Sequence, residues 1–193
     1  MSAIDTLARS GSDDPISNYL ITGRPGIGKT TIIRRIVAEF APIAHGFYTE
    51  EIRIAGQRQG FAITTLNGEK GVLAHIDVES PYRVGHYGVL INDFEKIAVE
   101  PLAQNLTTAK LFILDEIGKM ELYSKRFTAL VLQLLDSPIP LLATVMIHNN
   151  PFVNRIKQRR DVAIFTVSLQ NRNELPTLIA NQLKIRLQKS RIS

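Results

Sequence analysis

Apolar positions in this chain recur with two periods, and the alternation between them predicts its elements. Residues 18 to 22, Asn-Tyr-Leu-Ile-Thr, form a short apolar run ending in a glycine-rich turn. Ile32, Ile33, Ile36, Val37 and Phe40 then share one helical face. From residue 46 the period shortens to two, with Ile52 and Ile54, then Phe61, Ile63 and Thr65, on either side of a connection at 55 to 60 that contains Gly56 and Gly60. That is a β-hairpin signal. Asn67-Gly68 turns the chain into another short strand over 72 to 76, so an antiparallel meander is predicted where strand follows strand without a helix.

Helical spacing returns after Asp93 with Phe94, Ile97, Ala98 and Leu102, and Pro101 is expected to end or kink that helix. Residues 110 to 116 carry Leu-Phe-Ile-Leu, a strand buried on both faces. An amphipathic helix follows on Phe127, Leu130, Val131, Leu134 and Leu135, then a buried strand over 141 to 147. Asn150 and Pro151 suit the N-cap and first turn of a short helix bearing Phe152, Val153 and Ile156. A last strand over 162 to 167 and a helix on Leu175, Leu178, Ile179 and Leu183 complete the pattern. Buried strands alternating with helices predict an α/β fold: a mostly parallel sheet flanked by helices on both faces, with an antiparallel β-meander insertion. Ligands then bind beyond the C-terminal ends of the parallel strands.

Composition narrows this picture. With 193 residues, 45% of them hydrophobic, the chain suits one domain over 18 to 193 preceded by a flexible extension over 1 to 17. The extension carries Asp5, Asp13 and Asp14 and no apolar block, so it is not a secretory signal. The longest apolar run, 139 to 147, is shorter than the ~18 residues a membrane span requires. Absence of cysteine excludes disulfides and thiolate metal sites and fits a cytoplasmic location. The net charge is +5, and Lys184, Arg186, Lys189 and Arg191 contribute to it near the C-terminus. Such a tail either grips nucleic acid or is the solvated end of a helix whose dipole favours cations.

The chemistry begins at residues 23 to 30, Gly-Arg-Pro-Gly-Ile-Gly-Lys-Thr, which fit the phosphate-loop pattern G-x-x-x-x-G-K-[ST], or Walker A. Glycines let the backbone curl and aim successive N–H groups at one anion, and the following helix points its positive end at the same place. Gly23, Arg24, Pro25, Gly26, Ile27, Gly28, Lys29 and Thr30 are therefore assigned to nucleotide binding. Lys29 neutralises the β- and γ-phosphates and the Thr30 hydroxyl ligates Mg²⁺. A dinucleotide fingerprint fails, because Thr31 stands where a third glycine is needed.

The strand over 110 to 116 ends in Asp115-Glu116, a Walker B pattern in which Asp115 holds Mg²⁺ through its water shell. Glu116 is left to orient and deprotonate the water that attacks the γ-phosphorus. A kinase must instead exclude water, so Glu116 favours a hydrolase. Glu121 is either a supporting carboxylate or simply the first turn of a helix.

Beyond these motifs, Gly-Phe-Tyr-Thr-Glu-Glu at 46 to 51, Arg83-Val84-Gly85 with Tyr87, Asp-Glu-Ile-Gly-Lys-Met-Glu-Leu at 115 to 122, and Asn171-Arg172-Asn173 with Leu175 are distinctive. Across residues 19 to 183 the chain resembles the nucleoside-triphosphatase family of P-loop proteins that includes the human cancer-related nucleoside-triphosphatase. The resemblance implies a Mg²⁺-dependent enzyme that splits ATP, GTP and other nucleoside triphosphates to the diphosphate and phosphate, with loose base selectivity. By matching position it also implies that Leu114, Asp115, Glu116, Ile117 and Gly118 belong to the nucleotide site. The chain departs from the family at 146 to 151, where members carry a longer loop rich in Lys, Gly and Pro.

Other residues keep two readings. His45, His75, His86 and His148 share no metal-ligand spacing. Arg83, Arg155, Arg159 and Arg160 are candidates for a transition-state cation. Asn171, Arg172 and Asn173 either contact the base or cap a helix, and Phe47 and Tyr48 either stack on a ligand or pack the meander against the sheet. The rival functions are a small nucleoside or nucleotide kinase, and a nucleotide-dependent RNA-binding module.

Overall fold

The computed structural model describes residues 16–189. The predicted extension therefore lies outside the described residues except for Ile16 and Ser17, as does Arg191. Strand β1 (Asn18–Thr22) leads through the phosphate loop into helix α1 (Lys29–Phe40). Strands β2 (Ala44–Ile54), β3 (Gln57–Thr65), β4 (Lys70–His75), β5 (Arg83–Val84) and β6 (Tyr87–Val89) follow without an intervening α-helix. Next come α2 (Ile91–Phe94), α3 (Glu100–Gln104), β7 (Leu111–Ile117), α4 (Lys125–Asp136), β8 (Leu141–Val145), α5 (Pro151–Lys157), β9 (Val162–Thr166) and α6 (Leu175–Lys189).

These strands make one nine-stranded sheet in the order β5-β6-β4-β3-β2-β7-β8-β1-β9. Neighbours from β2 to β9 in that order pair in parallel, and those from β2 out to β5 pair antiparallel. The predicted meander is thus an extension of the sheet at one edge. Parallel strands buried on both faces need apolar cover on each, and two clusters supply it. One face packs on α1 and α6 through Ile32, Ile33, Ile36, Leu175, Ile179 and Leu183. The other packs on α2 to α5 through Phe94, Leu102, Phe127, Leu130, Val153 and Ile156.

Phe47 settles into the second cluster, wholly buried, with ring centroids 5.5 Å from Phe94 and 5.9 Å from Phe127. Packing, not ligand stacking, is its role. Tyr48 turns to the opposite face, where the Arg34 guanidinium lies 4.9 Å from its ring centroid.

Pro101 does not end its helix. Residues 91–104 stay helical, but the turn Glu95–Val99 widens to a π-turn between α2 and α3. Proline has no N–H to give the preceding turn and its ring crowds the carbonyl four residues back. A turn opened by one residue accommodates both. Two of the described cations near the C-terminus are engaged: Lys184 pairs with Glu39 and Arg186 donates to the Pro138 carbonyl. Among the described residues no helix is long and apolar enough to cross a membrane.

Strand β1 is pinned at its start by a buried polar side chain. Asn18 is 0% exposed; its amide nitrogen donates to the Leu135 carbonyl at 3.1 Å and to Asp161 at 3.0 Å, and its oxygen accepts from Leu141 N–H at 3.2 Å. One residue thereby ties β1 to the end of α4 and the starts of β8 and β9. Asn18→Ala takes from the buried Leu141 N–H the acceptor it has in Asn18, a loss worth about 1–3 kcal/mol, whereas the Leu135 carbonyl and Asp161 keep Arg159. The variant is expected to lose about 2 kcal/mol in urea denaturation; a loss no larger than that of an exposed-site control would refute the pin.

Candidate active site

Beyond Thr22 the backbone curls through residues 23–28 and enters α1. Gly26 has φ 73° and Gly28 φ 113°, left-handed values that favour glycine. Gly28 is the N-cap and has no side chain to satisfy the first-turn amides of α1, so those N–H groups are left for an anion. Gly23 is packed tightly: a Cβ there would meet Ile27 at 3.1 Å and Val167 at 3.2 Å. Arg24, Pro25 and Gly26 are exposed at the rim, whereas Ile27, Gly28, Lys29 and Thr30 are half-buried.

The Lys29 ammonium folds back over the loop, 3.4 Å from the Gly23 carbonyl and 3.7 Å from Glu116 Oε2. Phosphate loop and acidic strand end therefore meet in space, although β7 is not the neighbour of β1. Strand β8 lies between them, with Ile21 opposite Thr144 and Leu114 opposite Ala143. The pairing then skips to Ile117 opposite Val145, so Asp115 and Glu116 together face the single residue Thr144. Such a bulge re-aims side chains at a strand end.

Asp115 is 1% exposed, and its Oδ1 accepts a short hydrogen bond from the Thr144 hydroxyl. Burial pushes its carboxyl up to about 6; the Thr144 and Thr30 hydroxyls oppose that, Glu116 adds to it, and Lys29 opposes it. Its second oxygen, Oδ2, is buried without a hydrogen-bond partner. An orphaned carboxylate oxygen beside a hydroxyl is a hard-oxygen donor set that fits Mg²⁺, which takes few protein ligands and completes its shell with water and phosphate. The described residues contain no cluster of three His, Cys, Asp or Glu side chains, so a cage built wholly of protein ligands is not offered among them.

Leu114 and Ile117 are wholly buried in the core, so neither side chain is open to a ligand. Two contributors were not anticipated. Thr144 had a signal, a lone hydroxyl in the apolar run of β8. Lys157 had none: its ammonium donates to the Met146 carbonyl at 2.9 Å and feels the charge of Glu116, while burial lowers its pKa.

Two of the four arginine candidates are engaged elsewhere. Arg159 is spent on Asp136, Asp161 and the Leu135 carbonyl, and Asp161 itself accepts from the amide of Asn18 at the far end of β1. Arg83 donates to the His86 carbonyl on the outermost strand, and Arg155 and Arg160 are exposed. Asn171 is a local brace: its oxygen accepts from Ser168 N–H and its nitrogen donates to the Thr166 carbonyl. Glu121 opens the 3-10 turn Glu121–Tyr123, ahead of α4, which starts at Lys125 and is capped by Ser124. It is buried, and its carboxylate accepts from Gly118 N–H at 3.1 Å.

Comparison with known proteins bears on this arrangement directly. The family model described as NTPase matches residues 18–180. The nucleoside-triphosphatase THEP1 of Thermotoga sp. strain RQ2 is 48% identical over 165 residues, covering 86% of this chain and 94% of that protein. A crystal structure of THEP1 from Aquifex aeolicus superposes with a TM-score of 0.81 at 36% identity, covering 86% of this chain and 98% of that one. The solution structure of a human cancer-related nucleoside triphosphatase gives 0.72 at 35% identity, covering 86% and 96%.

Burial pushes the Glu121 carboxyl up to about 8, reinforced by the charges of Glu116 and Asp115 and opposed by backbone N–H donors. The folded chain thus keeps a proton that the unfolded chain gives up near the ordinary value of 4.5. Stability from this group is complete below that value and is lost as pH rises through about 8. Glu121→Gln is expected to flatten that decline, seen as denaturant midpoints converging on or passing those of the native chain as pH rises. Parallel pH curves for the two proteins would rule it out.

Proposed function

Because the chain belongs to the nucleoside-triphosphatase family, we propose that it hydrolyses ATP, GTP and other nucleoside triphosphates to the diphosphate and inorganic phosphate, with Mg²⁺ and loose base selectivity. The observation that carries this reading is the meeting of Lys29 and Glu116 at 3.7 Å, a phosphate-binding cation beside a carboxylate. The loop amides and Lys29 bind the β- and γ-phosphates. Thr30 and Asp115 would hold Mg²⁺, which when bound neutralises phosphate charge and orients the phosphates.

Glu116 accepts a proton from water as the water oxygen bonds to the γ-phosphorus. The bond from that phosphorus to the β–γ bridging oxygen breaks, and the electron pair leaves on the diphosphate. Its side chain is only 30% exposed and joined to the core strand β7, so it is held rather than free to swing. Lys29 engages phosphate when nucleotide binds, which releases Glu116 from the ion pair for its work as a base.

Phosphate release from ATP, GTP, CTP and UTP with Mg²⁺ tests the reading. Glu116→Gln should lower turnover by roughly 10²–10⁴-fold while nucleotide binding persists. Lys29→Ala should weaken binding itself. Turnover by Glu116→Gln at the native rate would refute the base assignment. Adding nucleosides and nucleoside monophosphates examines the kinase alternative, since phosphoryl transfer outpacing phosphate release would replace hydrolysis as the reaction. Thr144→Val, which frees Asp115 from its hydroxyl partner, should raise the Mg²⁺ concentration needed for half-maximal activity by about tenfold.

A further inference from the structure

One buried ionisable group beside the site takes no part in the reaction as described. Glu121 is 4% exposed and opens the 3-10 turn Glu121–Tyr123, three residues beyond Gly118. The turn holds Gly118 by both of its backbone polar groups. Gly118 N–H donates to Glu121 Oε2 at 3.1 Å, and the Gly118 carbonyl accepts from Leu122 N–H at 3.1 Å. The first of these is a charge-capable bond in a dry place, where a fixed donor–acceptor pair restrains its neighbours strongly.

What Gly118 touches gives the restraint its direction. A Cβ at Gly118 would stand 2.9 Å from Glu121 Oε2, 3.4 Å from Glu116 Cγ and 3.5 Å from Glu116 Cδ. Both carboxyl side chains thus converge on Gly118, and a Cβ there would press on the free end of Glu121 while only touching Glu116. The charged groups acting on Glu121 are Glu116 and Asp115, both acidic, so no ion pair accounts for an acid at this position. Helix capping does not account for it either, because Ser124 caps α4.

We infer that Glu121 is a positioning residue for Glu116: by gripping the Gly118 amide it fixes the strand exit on which the Glu116 carboxylate lies and sets where that carboxylate meets water. The inference rests on the reading of Glu116 as the base. Its consequence is specific. Loss of the grip lets Glu116 drift without disturbing the phosphate loop, which hangs from β1 two strands away.

The test compares kcat, Mg²⁺-nucleotide affinity and thermal melting for the native chain, Glu121→Ala, Glu121→Gln, Gly118→Ala and Glu116→Gln. Misplacing a catalytic group by about 1 Å costs on the order of 100-fold in rate, and that fall in kcat is expected for Glu121→Ala. Nucleotide affinity should stay within about threefold, the scatter of changes that touch no special feature. Glu121→Gln keeps an oxygen to accept from Gly118 and should restore most of the rate. Gly118→Ala, whose Cβ would press on the end of the Glu121 side chain, is a second route to the same displacement should Glu121→Ala fail to fold, and it should be slow.

Native-like kcat in Glu121→Ala, or parallel loss of rate and affinity in a variant that still melts cooperatively, would overturn the inference. So would equal defects in the Gln and Ala variants. Native turnover in Glu116→Gln would instead remove the base assignment, and the inference with it, whatever the Glu121 variants do.

Discussion

The parallel registration of β1, β8 and β7 is the constraint on which the site depends. Each strand ends within a residue or two of its neighbour, because Thr22 pairs with Val145 and Ile117 pairs with the same residue from the other side. Hydrogen-bonded neighbours in a sheet lie ≈ 4.7–4.9 Å apart, so a loop on β1 and an acid on β7 are separated by about two such spacings. Thr144 on the middle strand bridges the interval to Asp115, and the long side chains of Lys29 and Glu116 span the rest. A one-residue slip in either pairing would turn Thr144 or Asp115 to the opposite face. The wholly buried apolar residues on both sides of these strands oppose that slip, and Asn18 adds a polar reference point at the other end.

Electrostatics at the strand ends follow from the same arrangement. Three carboxyl groups, on Asp115, Glu116 and Glu121, collect where burial is deep, and two of them are pushed upward in pKa as a result. Two cations act at this group, Lys29 on Asp115 and Lys157 toward Glu116. Such a cluster is poorly balanced by itself, with an orphaned oxygen on Asp115. A divalent cation and a polyanionic substrate would enter as complementary charges. That is the condition under which a preorganised polar site can bind its ligand strongly and still retain a directed base.

Much of this was legible in the sequence because the signals were local. The phosphate loop, the apolar run ending in Asp115 and Glu116, and the Asn150-Pro151 helix start all rest on residues adjacent in the chain, and Asn150 indeed accepts from the amides of Phe152 and Val153. The strand between loop and acid was not legible, because strand order is a long-range property to which periodicity is blind. Hence Thr144 was passed over, although its polarity within a buried strand marked it. Pro101 was read for its local effect alone, and the helix absorbed it by widening one turn. Arg159 shows the opposite error: its charge made it a candidate, but Asp136 and Asp161, distant in the chain or beyond a turn, had already claimed it.

The placement of Glu116 carries the remaining consequence. The backbone of Glu116 takes its course from the sheet, but its side chain lies beside residues that, from Gly118 onward, belong to a loop that has to be held by its own contacts. The Gly118 amide, the Leu122 amide and the Ser124 cap supply those contacts within seven residues of one another, each inside hydrogen-bonding distance. Tyr123 extends the chain of contacts outward, its hydroxyl donating to the Arg83 carbonyl at 2.7 Å and its ring lying 5.3 Å from that of Tyr82. The antiparallel meander therefore does more than lengthen the sheet. Its outermost hairpin braces the turn that begins at Glu121 through the Tyr123 side chain, and the Glu121 side chain in turn reaches Gly118, next to the strand end that carries Glu116.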